Sequence, residues 1–442
     1  QRYLMQQVQN GGREFVAGGC DGIDQVVVIP ALAEKDALLD TLHRLSANPP
    51  SDLNGTLVIS VINNRMEGVA DLEDIEDNQQ TMMLLRPLIQ GKVPTISASA
   101  NRMGQQIREM MSSGLRLAYI DASSPGMEMP EKGGGVGMAR KLGLDMALRL
   151  FDYNSPAKKL LFNLDADTWV EAHYLSAVRQ YFEDEKANAA VISYKHRPDE
   201  DIFLRYYVLG LRFAGSPYDF HAVGSTMVCT PESYVAVRGM NRREAAEDFY
   251  FLDKLAKLGR IAQIQTTTVY PSARPSRRVP FGTGRRMIRF LAGGHDEYLL
   301  YDPEVFRILR RWLAVMAVNG QQEVKVILAM AASIHPLFGS FLELNHFQEV
   351  WPRIQKNHRD IDALGRQFHV WFDSFKTMKL VHYLTENGFP QKDMFVVLKD
   401  LFAMMNIPCP VAMNKKTRSN LEEQMQLLNV LERYGHSNMS LT

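Results

Sequence analysis

Three absences narrow the possibilities before any motif is read. Cysteine is scarce, with only Cys20, Cys229 and Cys409 in 442 residues. An odd number so widely scattered builds neither a disulfide framework nor a closed zinc site. It suits a reducing compartment, and a cytoplasmic location is expected. Net charge is absent, with 50 Lys and Arg against 50 Asp and Glu. Without a global field the chain does not attract a phosphate backbone, so no nucleic-acid partner is expected and any anion site must be local. Long apolar runs are also missing. The most apolar stretches, Trp312 to Val318 and Val324 to Ile334, fall short of the roughly 18 residues a spanning helix needs, so no membrane span is expected. The opening Gln-Arg-Tyr-Leu-Met has neither the apolar core nor the small-residue cleavage site of a secretory signal.

What is present is a hydrophobic content of 46% in a chain long enough for two cores. From Ile23 to Val269 short apolar runs alternate with helical patterns, the signature of an α/β domain on a largely parallel sheet. The runs are Gln25 to Pro30, Thr56 to Val61, Leu115 to Ile120, Lys159 to Leu164, Ala189 to Tyr194 and Gly224 to Cys229. Leu38, Leu42 and Leu45 follow the first run at helical spacing, and Pro49-Pro50 ends that helix. Residues 65–114 exceed a simple crossover. They carry an acidic stretch, read as a solvated face, and then a helix through Leu84, Leu85 and Leu88. Beyond Pro303 the pattern becomes helical: Val305, Ile308, Leu309, Trp312, Leu313 and Met316 form one stripe, with Asp302 placed to cap and Gly320 to close. The domains expected are an N-terminal extension (1–22), an α/β catalytic region (23–299) with an insertion at about 65–114, and a helical region (300–442).

Four constellations carry chemistry. The apolar strand at 160–164 delivers Asp165 and Asp167 at its carboxyl end, where open α/β sheets bind ligands. Two carboxylates there suit Mg²⁺ or Mn²⁺ shared with substrate phosphates; an Asx-turn is the plainer alternative. Lys132 to Gly143 is a glycine loop entering a helix, with Arg140 and Lys141 in its first turns. It matches neither the phosphate-loop nor the dinucleotide spacing, but offers two cations near a helix start. Glu247 and Asp248 open an amphipathic helix, which suits its dipole and also places a candidate general base. Five arginines punctuate residues 270–286. Arg277 and Arg278 among them suit a lid over a diphosphate or a pocket for an anionic acceptor.

In this order, over about residues 23–287, these features resemble a family 2 glycosyltransferase of the GT-A fold, of bacterial type. The matching pieces are Val26 to Pro30 followed by Glu34, the strand ending in Asn63-Asn64, Gly137 to Leu144, Asp165-Ala166-Asp167 and Glu247-Asp248. The resemblance implies a GT-A-type α/β fold, a mostly parallel sheet flanked by helices, here followed by an all-α region. It implies transfer of a sugar from a nucleotide-sugar, UDP- or GDP-linked, to a carbohydrate or small-molecule hydroxyl. Pro30, Glu34 and Asn63 would then line the nucleoside pocket and Arg140 would face the diphosphate. Asp165 and Asp167 would hold Mn²⁺ or Mg²⁺, and Asp248, beside Glu247, would deprotonate the acceptor. Some members recruit a later His to the metal, and His295 is placed for it. Ala33 stands where the family usually has Asn, and the insertion and the helical tail are additions. The competing readings are a nucleotidyltransferase, a phosphatase, and a non-catalytic carbohydrate-binding relic. Against a phosphatase of the haloacid dehalogenase type, Trp169 occupies a position where Thr or Val is expected.

Overall fold

Val26, Val27, Val28 and Ile29 are fully buried, as an unbroken apolar strand must be when helices cover both faces of its sheet. The computed structural model describes residues 3, 12–66, 68–94, 101–195, 198–272, 298–411 and 420–436. The chain divides into two compact units, Gln1–His196 with Ala222–Ile288, and Arg197–His221 with Arg289–Thr442.

The first unit contains β1 (Phe15–Ala17), β2 (Gln25–Ala31), α1 (Lys35–Ser46), α2 (Pro50–Leu53), β3 (Thr56–Asn63), α3 (Leu72–Ile89), α4 (Asn101–Ser113), β4 (Arg116–Ala122), α5 (Val136–Leu150), β5 (Leu160–Asn163), β6 (Thr168–Val170), α6 (Tyr174–Asp184) and β7 (Ala189–Tyr194). The chain then forms α7 (Pro198–Ala214) in the second unit and returns as β8 (Met227–Cys229), α8 (Pro231–Ala236), α9 (Glu247–Ala256) and β9 (Ala262–Pro271). The nine strands form one sheet in the order β1-β4-β3-β2-β5-β8-β7-β9-β6. β2, β3, β4 and β5 pair in parallel, as do β7 and β9. β8 runs antiparallel between β5 and β7, and β1 and β6 are antiparallel edges. Six strands therefore share one direction, and the expected mostly parallel sheet flanked by helices is observed.

Three details depart from the sequence expectation. The run 224–229 begins as a single 3₁₀ turn, Gly224–Thr226, before its strand. β1 and β6 are three-residue strands with too few alternations to be read locally. The extension before residue 23 supplies β1 on β4, and Tyr3 inside it is buried, its hydroxyl donating to Asp145 Oδ1 at 2.9 Å.

The second unit joins α7 to α10 (Pro303–Asn319), α11 (Val324–Ile334), α12 (Pro336–Leu344), α13 (Phe347–Asn357), α14 (Ile361–Trp371), α15 (Ser374–Asn387), α16 (Met394–Met404) and α17 (Leu421–His436). A two-residue pairing of β10 (Leu299–Leu300) with β11 (Lys392–Asp393) is its one sheet among the described residues. Residues 197–221, expected in the catalytic region, belong here, because Ile202, Tyr206 and Leu209 fill the same core as Val305, Phe306 and Leu309. A Cβ at Gly210 would lie 2.4 Å from the Phe306 ring, so the contact of α7 with α10 requires glycine. The expected cap is present: Asp302 Oδ1 accepts from the Glu304 amide at 3.0 Å. Trp312 is the hub, with ring centroids 5.0 Å from Phe338, 5.6 Å from Phe347 and 5.8 Å from Phe368. Among the described residues no helix is long and apolar enough to cross a membrane. Trp312→Ala is expected to destabilise this unit by about 3–5 kcal/mol, measured as a shift of its urea unfolding transition.

Candidate functional site

Because β2, β3 and β5 are parallel, their carboxyl ends open on one edge, and the loops leaving them gather side chains from distant parts of the sequence. Pro30 is buried near the end of β2, opposite Val61 of β3 and beyond the reach of β5. A proline there removes no ladder bond from a strand paired on both sides. Ala33, in the loop that follows, adopts the left-handed conformation with φ 50°, which costs an alanine roughly 1–2 kcal/mol. Its amide donates to Asn78 Oδ1 at 2.9 Å, and Asn78 Nδ2 donates to the Asn63 carbonyl at 3.1 Å and to Asn64 Oδ1 at 2.9 Å. Asn78, a buried residue of α3, thus clamps the two loops that carry Glu34 and Asn63. The acidic run that precedes Asn78 reads in the sequence as a solvated face, and neither residue type nor spacing marks the role of Asn78. Asn63 Oδ1 is buried and, among the described residues, accepts no hydrogen bond.

The second gathering is electrostatic. Arg140, on the first turns of α5, is 1% exposed. Its Nη2 donates to Asp165 Oδ1 at 2.5 Å and its Nε to Glu247 Oε1 at 3.2 Å. Burial works against the charge, but Asp165, Glu247 and Asp248 outweigh it and hold the guanidinium above its usual pKa. Arg140, expected to face the diphosphate, is buried and paired with these carboxylates, since a buried cation is tolerated only when paired. Lys141 is likewise turned inward, 2.9 Å from Asp145 Oδ2 and 2.9 Å from the Tyr3 hydroxyl.

Glycine provides the room for this arrangement. A Cβ at Gly224 would lie 2.3 Å from Arg140 Nη2, and one at Gly137 would lie 2.5 Å from the Arg243 carbonyl and 3.0 Å from Glu247 Cβ. The glycine loop therefore serves close packing of α5 on the 241–247 segment. Ala246 immediately before α9 is again left-handed, at φ 57°, so two strained alanines flank the candidate site.

Asp248, half-buried at the start of α9, has its carboxyl pushed up to about 7 by burial and by the neighbouring Glu247 charge, against the opposing pull of the Phe249 amide and Arg140. Asp165, whose side chain is 34% exposed, and Asp167 present hard oxygen donors at the end of β5. Among the described residues no group of three or more His, Cys, Asp or Glu surrounds a common point. Mg²⁺ or Mn²⁺ held jointly with a diphosphate needs only one or two carboxylates, so the donor set fits such an ion. Arg277, Arg278 and His295 lie outside the described residues.

No protein-family model and no curated protein matches the chain. Among solved structures it is similar to S. aureus TarS 1–349 in complex with UDP-GlcNAc, at 13% identity over 94% of this chain and 91% of that chain, with a TM-score of 0.37. It is also similar to the mannosyltransferase PcManGT from Pyrobaculum calidifontis in complex with GDP-Man and Mn²⁺, at 15% identity over 98% of this chain and 91% of that chain, with a TM-score of 0.35.

The raised carboxyl of Asp248 binds its proton more tightly in the folded than in the unfolded chain, so stability falls as pH rises from about 4 to about 7. Asp248→Asn is therefore expected to raise Tm by a few degrees at pH 8 in EDTA, the gain shrinking towards pH 4, as a pH series of thermal melts would show.

Proposed function

We propose that the chain transfers a sugar from a nucleotide-sugar to an acceptor hydroxyl with inversion at the anomeric carbon. The observation that supports this reading is Asp248 at the start of α9, beside the Arg140–Asp165–Glu247 cluster at the carboxyl edge of the sheet, with burial and the Glu247 charge raising its carboxyl. A base is most effective when its pKa lies near the working pH, since it is then ionised and still a strong proton acceptor. Asp248 takes the proton of the acceptor hydroxyl as that oxygen attacks the anomeric carbon, and the nucleoside diphosphate departs from the opposite face.

Asp165 and Asp167 hold Mn²⁺ or Mg²⁺, which when bound supplies charge stabilisation on the leaving diphosphate. Asn63, with its buried oxygen unpaired among the described residues, and Glu34 bind the nucleoside of a UDP- or GDP-sugar, with Pro30 as an apolar wall. Arg140 acts as a positioning residue: it fixes the Asp165 carboxylate through Oδ1 and, through Glu247, the start of the helix that carries Asp248. In a phosphatase of the haloacid dehalogenase type the first Asp would be the nucleophile. Here that residue, Asp165, is engaged by a buried guanidinium, which lowers its nucleophilicity.

Calorimetry with UDP and GDP, with and without Mn²⁺, tests the donor side. Asp167→Ala is expected to abolish metal-dependent nucleotide binding; binding undiminished in EDTA would reject the metal assignment. Asp248→Asn is expected to lower kcat by about 10²–10⁴-fold while donor affinity stays within about threefold, a ratio worth less than 1 kcal/mol. Unchanged turnover in that variant would remove Asp248 as the base.

A further inference from the structure

A cleft of ≈ 220 Å³ opens between α1, α4 and the edge strand β6, on the first unit. Trp169 lines it. Along β6 the flanking Thr168 and Val170 are buried while Trp169 is 45% exposed, the alternation of an edge strand with one face open. The other indoles differ, for Trp312 and Trp351 are fully buried and Trp371 is partly covered. A large aromatic left open in a cleft is the informative exception to ordinary burial. Arg44 lies over the ring with Cζ 4.7 Å from its centroid, an attraction that holds the indole in place.

The rest of the lining is planar and polar, and it is pre-organised. Gln106 Nε2 donates to Asp40 Oδ1 at 2.6 Å, Gln105 Nε2 donates to Glu109 Oε1 at 2.8 Å, and His43 Nε2 lies 2.6 Å from Glu109 Oε2. The two carboxylates, Asp40 and Glu109, balance the two guanidinium groups, Arg44 and Arg102, so neither sign of charge dominates the lining. Among the described residues no aliphatic side chain lines it. An indole for the C–H face of a pyranose, ringed by amides, carboxylates and guanidinium groups for its hydroxyls, is the complement of a neutral sugar.

We infer that this cleft binds a neutral saccharide. It is separate from the carboxylate cluster yet built on the same piece of chain. Trp169 follows Asp167 by two residues, and Thr41 of α1 donates from its hydroxyl to the Ala166 carbonyl at 2.8 Å. The inference does not rest on the transfer reading, since no donor is involved.

The test is calorimetry of the full chain, in the absence of nucleotide, with maltohexaose, cellohexaose, mannohexaose and chitohexaose, paired with intrinsic fluorescence to report on the indole. At least one is expected to bind saturably at millimolar concentration or below and to change the emission. Trp169→Ala should weaken that binding at least about tenfold, near 1.4 kcal/mol, and Gln105→Ala, at an exposed position that leaves folding intact, should weaken it less. Gln105→Ala should keep the wild-type Tm, and both variants should keep the wild-type nucleotide affinity. The inference is overturned if no neutral hexasaccharide binds, if only charged oligosaccharides bind, or if neither substitution lowers the affinity.

Discussion

One buried guanidinium organises the site. Arg140 is bonded to Asp165, 25 residues away, and to Glu247, 107 residues away, so three elements that are remote in sequence share a single charge. Removing either acid would leave a cation buried with inadequate compensation, and removing the arginine would leave acids facing one another; in either case the cost is several kcal/mol. The cluster is nonetheless short of positive charge. With Asp248 included, one cation faces three carboxylates among the described residues, and burial together with the neighbouring Glu247 charge raises the Asp248 carboxyl. A divalent ion at Asp165 and Asp167 would relieve the same deficit from the other side.

Around that charge the backbone is held in conformations it would not choose alone. Ala33 and Ala246 are left-handed without the excuse of glycine. The first is secured by Asn78, and the second stands directly ahead of Glu247, whose carbonyl accepts from Asn241 Nδ2 at 2.9 Å. Strain of this kind persists only where neighbouring contacts over-determine the geometry. Here those contacts arise from α3 and from the 241–247 segment, so elements outside the sheet fix the loops that the sheet merely presents.

The sheet was legible because its central strands are buried on both faces, so Val26 to Ile29, Leu57 to Ile59 and Leu160 to Phe162 read as unbroken apolar runs. β1 and β6 were not, since a three-residue strand is defined by its partner rather than by its own pattern. That α7 belongs to the second core was not legible, because periodicity reports that a face is buried and not against what. At the site, Asp165, Asp167, Glu247 and Asp248 could be singled out from residue type and position in an α/β pattern. The inward turn of Arg140 could not, since the acids that draw it in are brought near only by the fold. Asn78 and Gly224 were invisible for the same reason: each matters through what approaches it.

The excursion of residues 197–221 bears on how the chain is made. Ile202, Tyr206 and Leu209 are synthesised about a hundred residues before the α10 side chains that cover them, and α17 is later still. At ribosomal speeds of about 5–20 residues per second, the apolar face of α7 stays uncovered for roughly 5–20 s while the strands of the first unit are still pairing. A sheet with the parallel, long-range pairings described here folds slowly by the same logic. The nascent chain therefore exposes an unsatisfied helix face and incomplete sheet edges together, so its yield during synthesis will depend on whatever shields α7 during that interval.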